Sequence, residues 1–245
     1  VLVPMAGDDT TPEGEQVNIY GNHVASWNFA ATAHLNRWKV KIYYEHYFDD
    51  HSQMFFQYGR WKDGHIGLEI TFPKNRFIDT FVYEGLGTKD QTGPMLYDSF
   101  WGEFEEQISA KDNYYNHYLY QGWQHWGMGI GNPLLPGPIY NKNAEISFIS
   151  NLVLAHHIGF CCSPCQSLSY RMLLSYSRHW GTYDNPLNEI KKQFNSLFEV
   201  TYAPQQLKGW SFTVSGAMDR GSILGNNYGG MLVIRKQGII KSGNK

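Results

Sequence analysis

Apolar and polar residues alternate with a period of two along much of the chain. Trp210, Phe212, Val214, Gly216 and Met218 interleave with Ser211, Thr213, Ser215 and Ala217. Ile66, Leu68, Ile70 and Phe72 alternate with Gly67, Glu69 and Thr71. Leu168, Tyr170, Met172, Leu174 and Tyr176 alternate with a second set that includes Ser169, Arg171 and Ser175. Phe194, Phe198, Val200 and Tyr202 share one parity, as do Trp38, Val40 and Ile42. A further face is expected from Ile146, Phe148, Leu152, Leu154 and Ile158, within a strand over residues 145–158. Side chains alternate across a strand, so each segment carries one greasy face and one largely polar face. Glu69, Arg171, His179 and Glu199 fall on the polar one.

Two all-β architectures follow from this pattern. The segments run long for a globular sheet, whereas a membrane-spanning tilted strand needs roughly 9–11 residues. Rings collect near their ends: Trp38, Tyr43, Tyr44, Tyr47, Phe48, Tyr170, Tyr176, Trp180, Tyr202 and Trp210. Amphipathic rings suit the water–lipid boundary. An antiparallel transmembrane β-barrel of about nine or ten strands fits these features, and a soluble β-sandwich with an aromatic core is the rival. The two differ in whether the apolar faces look out or in.

The connections are unequal. Pro73-Lys74-Asn75 and the stretch from Tyr202 to Gly209 are compact reversals, whereas residues 88–138 form a long excursion with weak strand character. Within it, residues 100–110 are expected to form a short helix. Outer-membrane barrels pair short periplasmic turns with longer extracellular loops. No internal repeat or linker is evident, so residues 1–245 read as one domain.

Composition narrows the function. Among 245 residues, 17% are charged and 16% aromatic, with a formal net charge of −2. A nucleic-acid binder should carry a basic patch or stripe, so that class is disfavoured. The apolar content is too high for a disordered chain, and no run approaches the roughly 18 apolar residues of a membrane-spanning helix.

The richest candidate chemistry lies in residues 112–132. Sugars offer CH faces that stack on rings and hydroxyls that pair with amides. Tyr114, Tyr115, Tyr118, Trp123, His125 and Trp126 supply rings there, and Asn116, His117 and Gln124 supply polar partners. The same cluster also reads as a packed loop or barrel plug, because buried Trp and Tyr need partners for N–H and O–H. The glycines at 127, 129 and 131 lack the strand and helix that flank a phosphate-binding loop.

Other constellations are weaker. Glu103, Glu105 and Glu106, with Asp98 and Asp112, offer paired carboxylates for glycoside hydrolysis or calcium, but on a loop they read first as solvated. His46, His51, His117, His125, His156, His157 and His179 show no HExxH spacing, and the chain has no Gly-x-Ser-x-Gly elbow. Cys161, Cys162 and Cys165 cluster too tightly for a disulfide framework and lack a second ligand pair for zinc. They read as a turn between two strands, with Pro164 breaking the ladder. No catalytic residue, cofactor or metal is expected.

Several long stretches resemble the Wzi-like capsule-assembly family of outer-membrane proteins in its Bacteroidetes form. They are Gly21-Asn22-His23 with Ser26-Trp27-Asn28, Asp50-His51-Ser52-Gln53-Met54, and the run from Gly67 to Arg76. Thr88-Lys89-Asp90-Gln91-Thr92-Gly93-Pro94 and Asp112-Asn113-Tyr114-Tyr115-Asn116-His117 continue the likeness. The most specific is Gly122-Trp123-Gln124-His125-Trp126-Gly127-Met128-Gly129-Ile130-Gly131-Asn132-Pro133-Leu134. Arg178-His179-Trp180-Gly181-Thr182-Tyr183 and the run from Leu224 to Met231 complete it. The resemblance implies an outer-membrane β-barrel that binds or anchors capsular polysaccharide without catalysis. Its partners would be surface polysaccharide, outer-membrane lipid and further envelope proteins. Members of that family are longer, so the chain would correspond to the C-terminal part of a larger barrel. A passive pore or a scaffold subunit is the alternative.

Overall fold

The structure is a computed structural model that describes residues 25–48, 62–90, 113–116 and 123–238. The strands in chain order are β1 (Ala25–Leu35), β2 (Trp38–Phe48), β3 (Gly64–Thr71), β4 (Thr80–Gly87), β5 (Gln124–His125), β6 (Met128–Gly129), β7 (Val153–Cys165), β8 (Leu168–Gly181), β9 (Pro186–Tyr202), β10 (Trp210–Gly221) and β11 (Asn227–Lys236). Nine of them form one antiparallel sheet in the order β1-β2-β3-β4-β7-β8-β9-β10-β11, and β5 and β6 form a separate hairpin. Apart from β4 and β7, between which the β5–β6 hairpin intervenes, every neighbour in the large sheet is the next strand along the chain, so it is a meander. The sheet is open at β1 and β11 among the described residues. The all-β expectation therefore holds for the described residues, whose helix amounts to a 3-10 turn at Pro138–Tyr140 and the single residue Lys62.

Register sorts the side chains into two faces. Phe29 lies opposite Tyr44, Ile42 opposite Leu68, Leu68 opposite Tyr83, and Tyr83 opposite Ile158. The row continues from Ile158 to Leu174, then Ser196, Met218 and Tyr228. On this apolar face Phe29, Ile42, Val214 and Leu232 are 55, 54, 61 and 64% exposed. Rings flank the aliphatic middle at both ends. Trp38 sits against Phe72 at 4.9 Å and Trp210 against Phe212 at 6.3 Å near one rim, and Trp27 against Phe48 at 6.0 Å near the other. The opposite face holds Glu45, His65, Glu84, His157, Ser175, Asn195 and Asp219. Glu69, Arg171, His179 and Glu199 lie on it too, as the alternation predicts.

In a meander, alternate connections share a rim. Residues 36–37, 72–79, 166–167 and 203–209 join strands at one rim, and residues 49–63, 88–152, 182–185 and 222–226 at the other. The two long connections, 49–63 and 88–152, share a rim as the sequence leads one to expect, but 182–185 and 222–226 at that rim are shorter than 72–79 and 203–209 at the other.

The structure corrects several expectations. Residues 145–152 are not strand, and β7 begins at Val153. Phe148 instead enters the small core formed with Leu86, Tyr115, Leu135, Val153 and Ala155. Leu86, Val153 and Ala155 occupy polar-face positions, so the loop before β7 folds over that face and buries Phe148 there. Tyr43 and Tyr47 belong to the polar face, not to the ring belts. The cysteine run is not the turn: it ends β7, with a register shift between Cys162 and Cys165, and the reversal is at 166–167. Pro cannot donate to the ladder, which explains a shift at Pro164. The helix expected over 100–110 lies outside the described residues.

Candidate functional site

The site grows from the loop that crosses the polar face. Its first piece, residues 113–116, is a tight turn in which Asn116 N donates to Asn113 O at 2.9 Å and Tyr115 holds φ 69°. Asn151 Nδ2 fastens this turn by donating to Tyr114 O at 2.8 Å and to Asn113 Oδ1. Tyr114 OH reaches Tyr47 O at 3.3 Å.

Its second piece is the β5–β6 hairpin. Trp126 and Gly127 at its tip hold φ 52° and 77°. Two left-handed residues in a two-residue loop match the turn twist that antiparallel strands favour. Gln124 Oε1 accepts from Gly127 N at 2.7 Å, and Gly127 O accepts from Ile139 N at 2.8 Å. A Cβ at Gly127 would stand 3.0 Å from Ile139 N, so this glycine meets both a backbone and a packing demand. At the hairpin base Trp123 stacks on Tyr115, with centroids 5.8 Å apart and planes 20° apart. Tyr115 in turn meets Phe148 edge-on at 5.2 Å.

Between loop and sheet lies a cavity of about 710 Å³. Its walls are Tyr47, Tyr114, Tyr115, Trp123, Leu134 and Leu135, and its floor is Ser26, Glu45, His65, Glu84, His157 and Ser175. The floor side chains hold one another. His65 Nε2 is 3.5 Å from Glu84 Oε1, and Tyr43 OH donates to the same carboxylate oxygen. Ser26 Oγ donates to Glu45 Oε1 at 2.7 Å, and His157 Nδ1 lies 2.6 Å from Ser175 Oγ. Among the described residues, no Lys or Arg lines the cavity. Trp123 Nε1 is buried without a hydrogen-bond partner among the described residues. This chamber joins ring faces to carboxylate and imidazole groups, the combination that holds hydroxyl-rich ligands by stacking and hydrogen bonding.

The residues expected to contact glycan divide into three groups. Tyr114 and Tyr115 are buried and line the cavity, and Trp123 lines it as well. Asn116 and Gln124 serve as internal brackets of the loop. His125 and Trp126 stand at the hairpin tip, with Trp126 85% exposed and its ring edge-on to His125 at 6.2 Å. His117 lies outside the described residues, as do Tyr118, His51 and all five acidic loop residues, Asp98, Glu103, Glu105, Glu106 and Asp112.

Sequence reasoning missed the floor. Glu45, His65 and Glu84 lie on three different strands, and only cross-strand register joins them. The available signal was parity: each falls on the polar phase of its strand. Three further histidines are tied to hydroxyls or carbonyls. His46 Nδ1 lies 3.1 Å from Asp63 O, His156 Nδ1 2.8 Å from Tyr83 OH, and His179 Nε2 2.9 Å from Ser177 Oγ. The three cysteines are free, and no group of three or more His, Cys, Asp or Glu among the described residues could hold a metal ion. No protein-family model matches the chain, and no curated protein matches it.

Proposed function

We propose that the chain is wall and plug of an outer-membrane β-barrel of the capsule-assembly type, which binds surface polysaccharide and catalyses nothing. One observation carries the reading: the apolar face of the nine-strand sheet presents exposed large side chains from Trp27 and Ile42 to Phe198 and Leu232, and the loop packs on the polar face instead. A soluble sandwich would seal that grease between two sheets. Exposed apolar surface on this scale marks a membrane or partner contact. Strands of 10–17 residues in β1, β2 and β7 to β11, with rings at both ends of the aliphatic belt, fit a tilted barrel wall. Closure would need further strands beyond the nine, in keeping with the resemblance to part of a longer barrel.

The polar face then lines the lumen, and the segments 113–116 and 123–152 lie within it. That placement favours a plugged wall over an open pore. Polysaccharide would meet Trp126 at the exposed hairpin tip and pass a sugar unit to the chamber beside Trp123.

The test is binding of purified capsular polysaccharide to the intact protein in detergent, compared with a Trp123→Ala/Trp126→Ala double variant. Loss of binding in the variant is expected. Equal binding by the two proteins would refute the loop assignment, and steady single-channel conductance would favour the pore.

A further inference from the structure

The apolar face is not wholly uncharged, and the placement of its charges is uneven. The strand residues of that face include four with a formal charge, Arg178, Lys192, Arg220 and Lys236, and all four are cationic. Lys236 ends β11 at the short-turn rim, where Nζ lies over the Trp210 ring at 5.6 Å. The other three gather at the long-loop rim on three consecutive strands. Arg178 of β8 is directly opposite Lys192 of β9, and Arg220 of β10 is opposite Phe194, one step along the same face. Lys89 joins them through Trp180, whose ring has Lys89 Nζ at 4.1 Å and Arg178 Cζ at 5.3 Å.

Facing like charges on paired strands are destabilising, and diagonal neighbours on a sheet lie within about 7–8 Å. Among the described residues the ion pairs are His65–Glu84 and Arg171–Glu199, both on the polar face, so none neutralises the cluster. Next along each strand toward the middle of the sheet come Tyr176, Phe194 and Met218. A ligand that satisfies both parts carries a compact anion at one end and hydrocarbon at the other.

We propose that Arg178, Lys192 and Arg220 form a binding site for the phosphate headgroup of an acylated lipid, whose chains lie along the neighbouring apolar belt. The proposal rests on the reading that this face meets lipid. It adds a specific anchor at the rim of the long loops, the extracellular side in an outer-membrane barrel. Arginine suits the role because its planar fork takes two phosphate oxygens at once. Phosphate-bearing outer-leaflet glycolipid is the committed occupant, and free phosphate is the competitor to be tested.

The experiment uses the full chain in detergent and reads retained lipid by native mass spectrometry. The probes are bis-phosphorylated lipid A, the same lipid without phosphates, and inorganic phosphate alone. Wild type should retain the phosphorylated lipid, and the triple variant Arg178→Gln/Lys192→Gln/Arg220→Gln should weaken retention about a hundredfold, a factor of several per charge removed at the lipid surface. Lys236→Gln should leave it unchanged, and Arg178→Lys/Arg220→Lys should keep part of it. Equal retention by the triple variant, equal retention of the dephosphorylated lipid, or equally tight binding of inorganic phosphate would overturn the site. Insertion into phosphatidylcholine vesicles, read by resistance to carbonate extraction, is measured alongside. An inserted protein whose triple variant behaves as wild type overturns this site alone, whereas a protein that never inserts removes the lipid-facing reading together with it.

Discussion

Asn116 and Phe148 bind each other in both directions: Asn116 Nδ2 donates to Phe148 O at 2.9 Å, and Phe148 N donates to Asn116 Oδ1 at 2.8 Å. The amide of one side chain thus stands in for a strand partner and clips the 113–116 turn to the segment entering β7. Phe148 is almost fully buried, so both of its backbone groups depend on that amide. Asn116→Ala orphans the two groups, and each unpaired buried group costs about 1–3 kcal/mol. The Phe148 amide should exchange hydrogen at least about tenfold faster, while amides in the middle of β8 keep their protection. Unchanged exchange at 148 would show that the clip is not what holds the loop.

Gly67 and Tyr43 face each other across β2 and β3, and the Tyr43 ring occupies the space a Cβ at position 67 would need. The ring continues to Glu84, where its hydroxyl donates. Gly67→Ala should therefore displace the ring and destabilise the protein by about 1–3 kcal/mol, the usual range for overpacking. In a Tyr43→Ala background the same change should cost at least about 1 kcal/mol less. Urea midpoints of the four proteins complete this cycle, and strict additivity would refute the contact.

Thr213 and Val214 are consecutive in β10 and lie on opposite faces. If the apolar face meets lipid, Val214→Arg near the middle of the belt should cost about 2–4 kcal/mol in a bilayer, and Thr213→Arg much less. Folding yield into vesicles of fixed composition reads the difference. Equal penalties at the two positions would contradict the orientation on which the membrane reading depends.

Trp126 and Trp123 should separate stability from recognition. Trp126 is exposed at the hairpin tip, so Trp126→Ala should change stability by less than about 0.5 kcal/mol. A stacking Trp at a binding surface commonly contributes about 2 kcal/mol, so polysaccharide affinity should fall more than tenfold. Trp123→Ala removes the partner stacked on Tyr115 and should lower stability as well as binding. Tm and affinity measured on the same samples distinguish the two, and a large stability loss at Trp126 would place that ring in the loop core.

Five of the strands were legible because their alternation is clean: β2, β3, β8, β9 and β10 fall on the segments read from the pattern. Others were not. β1 fills its apolar phase with Ala31 and Ala33, and β11 runs Met231, Leu232, Val233 and Ile234 without alternation, so neither gives a strong period-two signal. Phe148 misled the reading in the opposite way. It continues the parity of Leu152 and Leu154, yet it packs against Tyr115 in the loop. Periodicity reports which side of an extended chain a residue takes. It does not report where the extended chain stops.

The amino-acid sequence by itself determined that this protein would be a sheet with one oily and one polar side, because side-chain direction in a strand follows position along the covalent chain. Only the tertiary structure decided that the aromatic loop would lie on the polar side, and that Glu45, His65 and Glu84 would share a floor with His157. Those neighbours come from the register of successive hairpins and from the burial of Tyr115, Leu135 and Phe148 against Leu86, Val153 and Ala155. Both are sums over contacts between distant segments, and no local stretch of residues contains them.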